Sequence, residues 1–268
     1  MIRDAPTSPA PRQLSRRTLR QVFWRSLFLQ AAWNPKGMQN LGFAYALYPA
    51  LAELYPDAAK LAQATERHLC CFNSHPYFAA TIVGGAVHHE ERIAQGEEPP
   101  EAVNAYKQSL MGPLAALGDG FFWLSLRPAC GAVASLVALG LVSAGKPLAA
   151  ALAGVGTYLV SYNAVHLAMR ARFFAQGYLL GDAVVERIAA SRLAAIGQRL
   201  RVLATVAAGA AGGLSALALP WEPQHEPWAA LGAAGLFAAC HGALAKGISP
   251  YLLAYAATAL ALCFGLFF

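Results

Sequence analysis

The sequence predicts an all-α, polytopic membrane protein with interfacial amphipathic helices, a re-entrant hairpin and about five transmembrane segments. Three observations predict it. Of 268 residues, 57% are hydrophobic and only 13% charged, against about 45–50% apolar and about 25% charged in a soluble domain. The apolar excess is concentrated after Pro128. The net charge of +6 comes from basic residues that flank apolar stretches, where cytoplasmic Lys and Arg collect in membrane proteins.

Residues 1–13, rich in Pro, Arg, Ser and Thr, read as a disordered tail. The segment after this tail mixes arginines with apolar residues and lacks the clean apolar core of a secretory signal. From Leu14 to Trp33 a helical wheel sets Arg16, Arg17 and Arg20 on one flank and Leu19, Val22 and Leu29 on another. That pattern suits a helix lying in the membrane interface. The stretch Leu41–Tyr55 is apolar but too short to span, and Pro49 is expected to break it. Asp57 can cap a helix in which Leu61, Thr65, His68, Leu69 and Phe72 recur at helical spacing. That helix should stop at Asn73-Ser74-His75, because Pro76 disfavours helical geometry in the residue before it. Pro76 then opens the next helix, which runs toward Gly96. Glu97–Pro100 reads as a turn, and another helix rises from Glu101 to Leu110.

The stretch Leu110–Trp123 is strongly apolar yet holds Gly112, Pro113, Gly118, Asp119 and Gly120. An Asp at the centre of a spanning helix costs about 2.5–3.5 kcal/mol. Broken backbone at membrane depth persists only inside protein or against a wet cavity. A re-entrant hairpin is therefore expected here. Candidate spans come next at Pro128–Ala144, Pro147–Met169, Val202–Pro220, Pro227–Cys240 and Pro250–Phe268. Six arginines between Arg170 and Arg201, against Asp182 and Glu186, put residues 170–201 in the cytoplasm. The connector Glu222–Glu226 has no Lys or Arg and faces outside, which leaves the N-terminus inside and the C-terminus outside. The expected organisation is a tail (1–13), a core of interfacial and broken helices with the hairpin (14–127) and a transmembrane bundle (128–268). Trp33, Tyr45, Tyr48, Trp123 and Trp228 suit anchoring at headgroup level.

The chemistry-bearing residues narrow the function. Five cysteines, one adjacent pair among them, give no disulfide framework. His68-Leu69-Cys70-Cys71 with His75, and His88-His89-Glu90-Glu91, match no standard zinc spacing. The sequence carries no P-loop, nucleophile elbow or dinucleotide fingerprint, and its basic residues are not interleaved with a nucleic-acid motif. No catalytic residue, metal, cofactor or nucleic-acid partner is expected. Six polar residues stand out instead: Gln39, Asn40, Asn73, His75, Glu90 and Asp119, each beside a break in apolar helix. Sugar hydroxyls need both donors and acceptors. Asn and Gln supply both, and a carboxylate accepts from two hydroxyls. Broken helices near the midplane are where transporters commonly build such sites. Plainer readings stand beside this one: an N-cap for Asn73, a carbonyl-bonded His75, a solvated helix end for Glu90 and Glu91, and an ion pair of Asp119 with Arg127.

Several motifs occur in one order: Phe23-Trp24-Arg25-Ser26, Leu29-Gln30, Trp33-Asn34, Met38-Gln39-Asn40-Leu41-Gly42-Phe43 and Tyr45, then Phe72-Asn73-Ser74-His75-Pro76-Tyr77 and Met111-Gly112-Pro113-Leu114-Ala115. Gly118-Asp119-Gly120-Phe121-Phe122-Trp123, Leu126-Arg127-Pro128, Gly177-Tyr178 and Gly181 complete the series. From about residue 20 onward, this run resembles the mannose/fructose/sorbose-family IID components of the bacterial phosphotransferase system. It departs at Gly120, where the family usually has serine, at Ser74, where threonine is common, and at His88-His89, where aliphatic or acidic residues are frequent. The loss of the serine bears on sugar specificity.

The resemblance implies a hetero-oligomeric inner-membrane complex. A IID and a IIC subunit form the sugar path, in contact with membrane lipid, while cytoplasmic IIA and IIB proteins relay phosphate from phosphoenolpyruvate. IIB then phosphorylates the hexose. No histidine of this chain is expected to carry phosphate. Two rivals stand against this reading, a non-transporting IID-like scaffold or receptor and an unrelated metal-dependent membrane enzyme.

Overall fold

The computed structural model describes residues 14–218 and, beyond them, 235, 238–249, 251–253, 255–256 and 258–259. The tail, the connector Glu222–Glu226, Trp228 and most of the last two expected spans lie outside the described residues. The chain forms two compact units, the first ending at Ser215 and the second beginning at Ala216. Among the described residues every regular element is helical. Of two isolated bridges, Asn34 with Met38 closes a loop and Met38 with Phe72 joins that loop to a later extended segment.

Helix α1 (Arg16–Ser26) is capped by Ser15, whose hydroxyl accepts from the Thr18 amide at 3.1 Å. It buries Thr18, Val22 and Ser26 and leaves Arg16, Arg17 and Arg20 exposed, the amphipathic split its sequence predicts. Helix α2 (Asn40–Leu54) holds α1 through Glu53, which accepts from the Ser15 amide at 2.8 Å and from the Thr18 hydroxyl.

Contrary to expectation, Pro49 does not break α2. A proline lacks the N–H that would bond the carbonyl four residues back, here that of Tyr45. Arg25 of α1 reaches across and donates to that oxygen at 3.4 Å, with its guanidinium over the Tyr45 ring. The missing amide is replaced from outside the helix.

Helix α3 (Ala58–Arg67) has the expected cap, with the Asp57 carboxylate accepting from the Lys60 amide at 2.9 Å. It ends before Phe72, however. Residues 68–70 turn away from its end instead, and residues 71–75 leave as an extended segment whose Phe72 exchanges backbone hydrogen bonds with Gly37 and Gln39. Helix α4 (Ala79–Ala94) then runs through the centre of the first unit with Ile82, Val83, Ala86 and Val87 wholly buried.

The hairpin expected over 110–123 is corrected by the structure. Helix α5 (Ala102–Gly118), a π-helical segment (Asp119–Leu126) and α6 (Arg127–Ser143) form one continuous helical run of 42 residues. Gly112 and Pro113 are held within α5, and from Asp119 the chain widens rather than turning back: the Arg127 amide donates to the Phe122 carbonyl, five residues earlier. Such wide turns are rare and concentrate at functional sites.

Helix α7 (Pro147–Leu180) is longer than the expected span, continuing through the basic stretch as far as Leu180, where a short turn leads to α8 (Val184–Ala189) and α9 (Leu193–Ala218). The runs Ala102–Ser143 and Pro147–Ala189 are each long and apolar enough to cross a membrane. The first half of α7 exposes Leu148, Leu152, Val155, Leu159 and Val160, an apolar surface that water would not favour. Farther along, α7 packs against α4 at very close range. A Cβ on Gly177 would lie 2.1 Å from the Thr81 carbonyl oxygen, and one on Gly84 would lie 2.2 Å from that of Phe174.

Candidate functional site

The segment 68–75, which joins α3 to the turn before α4, is the centre of the candidate site. Gln39, at the start of α2, is 1% exposed and clamps it from one side. Its Nε2 donates to the Ser74 carbonyl at 2.9 Å, and its Oε1 accepts from the Ser74 amide at 3.0 Å. Asn40 holds the same segment higher up, with Nδ2 donating to the Leu69 carbonyl at 2.7 Å and Oδ1 accepting from Asn34 at 3.0 Å. On the other side the Ser74 hydroxyl donates to the Met111 carbonyl of α5 at 3.1 Å. Gln39 and Asn40 thus position backbone. Asn73, between these anchors, is exposed and does not cap α4, whose N-cap is Phe78.

His75 lies flat on Phe122 of the π segment, with ring centroids 5.0 Å apart and planes 10° apart. Gly118 permits this contact, since a Cβ there would fall 2.2 Å from the imidazole. The Tyr77 amide donates to its Nδ1 at 3.3 Å, while Nε2 is buried with no hydrogen-bond partner among the described residues. Burial, aided by the positive charge of Arg170, lowers the His75 pKa to about 4. The ring is therefore neutral near pH 7.

Asp119 follows Gly118 directly and is exposed at the first turn of the π segment. It makes no ion pair among the described residues. Arg127, the partner considered for it, instead lies over the Trp123 ring at 5.7 Å. Gln39, Asn40, Asn73, His75 and Asp119 are thus associated through one short segment and the helix wall beside it.

Glu90 is not among them. It sits eleven residues beyond the start of α4, about 16 Å along the axis. It is also fully buried and engaged. Arg67 donates to it from Nε at 2.8 Å and Nη2 at 3.1 Å, the Tyr55 hydroxyl donates at 2.7 Å, and His68 Nε2 lies 2.9 Å away. Burial raises the carboxyl's pKa, but the hydrogen bonds from His68 and Arg67 and the Arg67 charge outweigh it, so Glu90 stays below the usual carboxylate range. His68 is pushed down by its own burial. Its neutral ring can donate from Nε2 to Glu90 and accept from Lys107 Nζ at Nδ1, 3.5 Å away. Lys107 also donates to Asn104 at 3.0 Å.

The neighbouring acid is equally committed. Glu91, expected as a solvated helix end, is 4% exposed. It accepts from the Tyr178 hydroxyl at 2.9 Å and the Leu14 amide at 3.2 Å. His89 pairs with Glu98 at 2.7 Å, and Arg92 donates to the same carboxylate. The His/Cys and His/Glu clusters of the sequence are therefore largely partners in structural networks.

Sequence reasoning missed the residues around Tyr77. His166 stacks on it at 4.4 Å, the Arg170 guanidinium lies 5.8 Å from its ring centre, and the Tyr162 hydroxyl donates to its hydroxyl at 3.3 Å. Charge alone groups Arg170 with the basic stretch expected in the cytoplasm, yet it is buried and donates to the Ser26 carbonyl. The available signal is its position four residues after His166, on one helical face within apolar sequence.

Known proteins resemble the chain over most of its length. A family profile described as the PTS system mannose/fructose/sorbose family IID component matches residues 13–216. The mannose-specific EIID component of Escherichia coli (strain K12) is 35% identical over 209 residues, 77% of this chain and 71% of that protein. The fructose permease IID component of Bacillus subtilis (strain 168) is 30% identical over 200 residues, 74% of this chain and 70% of its own length. A chain from a cryo-EM structure of the mannose transporter ManYZ with microcin E492 superimposes with a TM-score of 0.56 at 29% identity, covering 94% of this chain and 97% of that one. A second solved chain, described as a membrane protein, reaches a TM-score of 0.67 at 29% identity, covering 94% and 96%.

Proposed function

The chain belongs to the mannose/fructose/sorbose-family IID components of the phosphotransferase system, and from that premise we propose that it lines, with a IIC subunit, the path by which a hexose enters the cell. It is the IID membrane subunit of a mannose-type sugar transporter. The phosphoryl group reaches the sugar from IIB, with IIA upstream, and this chain contributes binding and passage. The complex sits in the bacterial inner membrane, with the basic segment 170–201 and the N-terminus on the cytoplasmic side and the C-terminus outside.

One observation carries the site proposal. The segment holding Asn73 and His75 is clamped between Gln39 and Met111 and laid against the π-helical wall that carries Asp119. Asn73 and Asp119 are exposed, while a neutral His75 offers an unpaired ring nitrogen. Together they supply acceptors and donors of the kind sugar hydroxyls require. Gln39 and Asn40 support this group by fixing the backbone of the segment. Glu90 leaves the sugar set because its carboxylate is already saturated by Arg67, His68 and Tyr55.

Asp119→Asn tests the proposal. A hydrogen bond to a charged group contributes about 1.5–3 kcal/mol, so uptake efficiency should fall about tenfold or more, with assembly and melting temperature unchanged. Normal uptake kinetics in this variant would remove Asp119 from the site.

A further inference from the structure

We propose that the groove bounded by α7, α8 and the start of α9 is a binding site for an anionic membrane lipid, with its phosphate between Arg172 and Arg187 and acyl chain laid along α7. The groove encloses about 580 Å³. Its polar lining is Arg172, Gln176, Arg187 and Ser191. Its apolar lining includes Val165, Met169, Phe173, Phe121 and Ile196.

The lining changes in character along one helix. Val165, Met169, Arg172, Phe173 and Gln176 recur at helical spacing on one face of α7. From Val165 to Gln176 the face rises about 16 Å. Val165 and Met169 come first, and Arg172 and Gln176 come last, with Phe173 between them. An amphiphile is shaped in the same way.

Charge supports the same ligand class. Both arginines are exposed, and neither makes a hydrogen bond or ion pair among the described residues. Among the described residues no carboxylate lines this groove; Glu186 belongs to the adjoining one. A guanidinium pair matches a phosphate with parallel N–H donors. Basic pockets between membrane helices commonly take phospholipid headgroups. Free phosphate shares the headgroup chemistry but would leave the apolar floor uncovered. The proposal does not depend on the sugar site, which involves none of these side chains.

The test uses the full chain purified with its co-expressed IIC subunit in mild detergent. Native mass spectrometry then counts phosphatidylglycerol retained in competition with phosphatidylcholine. Wild type should keep phosphatidylglycerol. The double variant Arg172→Gln, Arg187→Gln should keep about tenfold less or lower, and the off-groove variant Arg192→Gln should match wild type. Met169→Asn, which spares both guanidiniums, should also weaken retention, because the chain contact is lost.

Three outcomes overturn the proposal. Equal retention by the double variant means the arginines do not hold lipid. Displacement by inorganic phosphate at the same concentration as lipid means a simple anion site. Cross-linking of a Ser191→Cys variant to the IIC subunit, with none to a photoreactive phosphatidylglycerol, means a protein partner fills the groove.

Discussion

Replacing Glu90 by alanine is expected to lower stability by about 3–5 kcal/mol, the usual result of removing one side of a buried ion pair. The substitution leaves the Arg67 guanidinium, the Tyr55 hydroxyl and the His68 ring without their shared acceptor, and Lys107 beside them. Folded protein should drop sharply in fluorescence-detected gel filtration, with uptake falling in proportion. If Glu90→Ala melts like wild type and loses only uptake, the carboxylate contacts sugar and the structural reading is wrong.

The same group sets an acid limit. Its folded pKa lies below that of the unfolded chain, about 4.3 for a glutamate. Between the two values the unfolded state binds more protons, so stability rises with pH there. The contribution is complete above the unfolded value and is lost as pH falls through the folded one. The alanine variant should therefore show a shallower acid limb in a plot of melting temperature against pH. Part of that limb should persist, because Glu98 is also held low: its burial acts the other way but is outweighed by hydrogen bonds from His89 and Arg92.

The second large effect is expected at Gly177→Val. The new Cβ would meet the Thr81 carbonyl oxygen 2.1 Å away and the Gly85 amide nitrogen 3.0 Å away. Both are backbone atoms of α4, which cannot rotate aside. Overpacking usually costs about 1–3 kcal/mol, and with no flexible side chain to yield, this site belongs at or above the upper end. Helices in lipid gain little from apolar burial and rely on close approach. Tryptophan-monitored melting in detergent should show early unfolding or no folded fraction. An unchanged transition would mean that α4 and α7 do not meet as described.

Much of this architecture is legible in the sequence because its causes are local. Asp57 announces its cap, and the split of Arg16, Arg17 and Arg20 from Val22 follows from helical period alone, whereas Leu29 is buried in the turn after α1, which ends at Ser26. The long apolar runs are compositional. The illegible parts depend on distant partners. Pro49 looks like a break because nothing near it in sequence reveals that Arg25 supplies the missing donor. The hairpin fails for a similar reason. Gly118, Gly120 and Pro113 permit a turn, but a widened helix satisfies the same backbone, and packing against His75 and Phe78 favours the straight course.

The candidate site divides along the same line. Gln39, Asn40, Asn73, His75 and Asp119 are visible as polar residues beside helix-breaking sequence, and the fold relates them through one segment. Glu90 shares their signal, a polar group in apolar surroundings. Its three partners come from residues 22, 23 and 35 positions earlier in the chain, beyond the reach of periodicity.

The bond from Arg25 to the Tyr45 oxygen makes the first helix a repair to the second. Any event that lifts α1 away, whether truncation, proteolysis or pulling on the N-terminus, leaves a naked carbonyl one turn before Pro49, at the point where the helix is weakest. Bending of α2 there would move Asn40 and Gln39 with it, so loss of the amino-terminal helix should disturb the polar segment from a distance without touching a single residue in it.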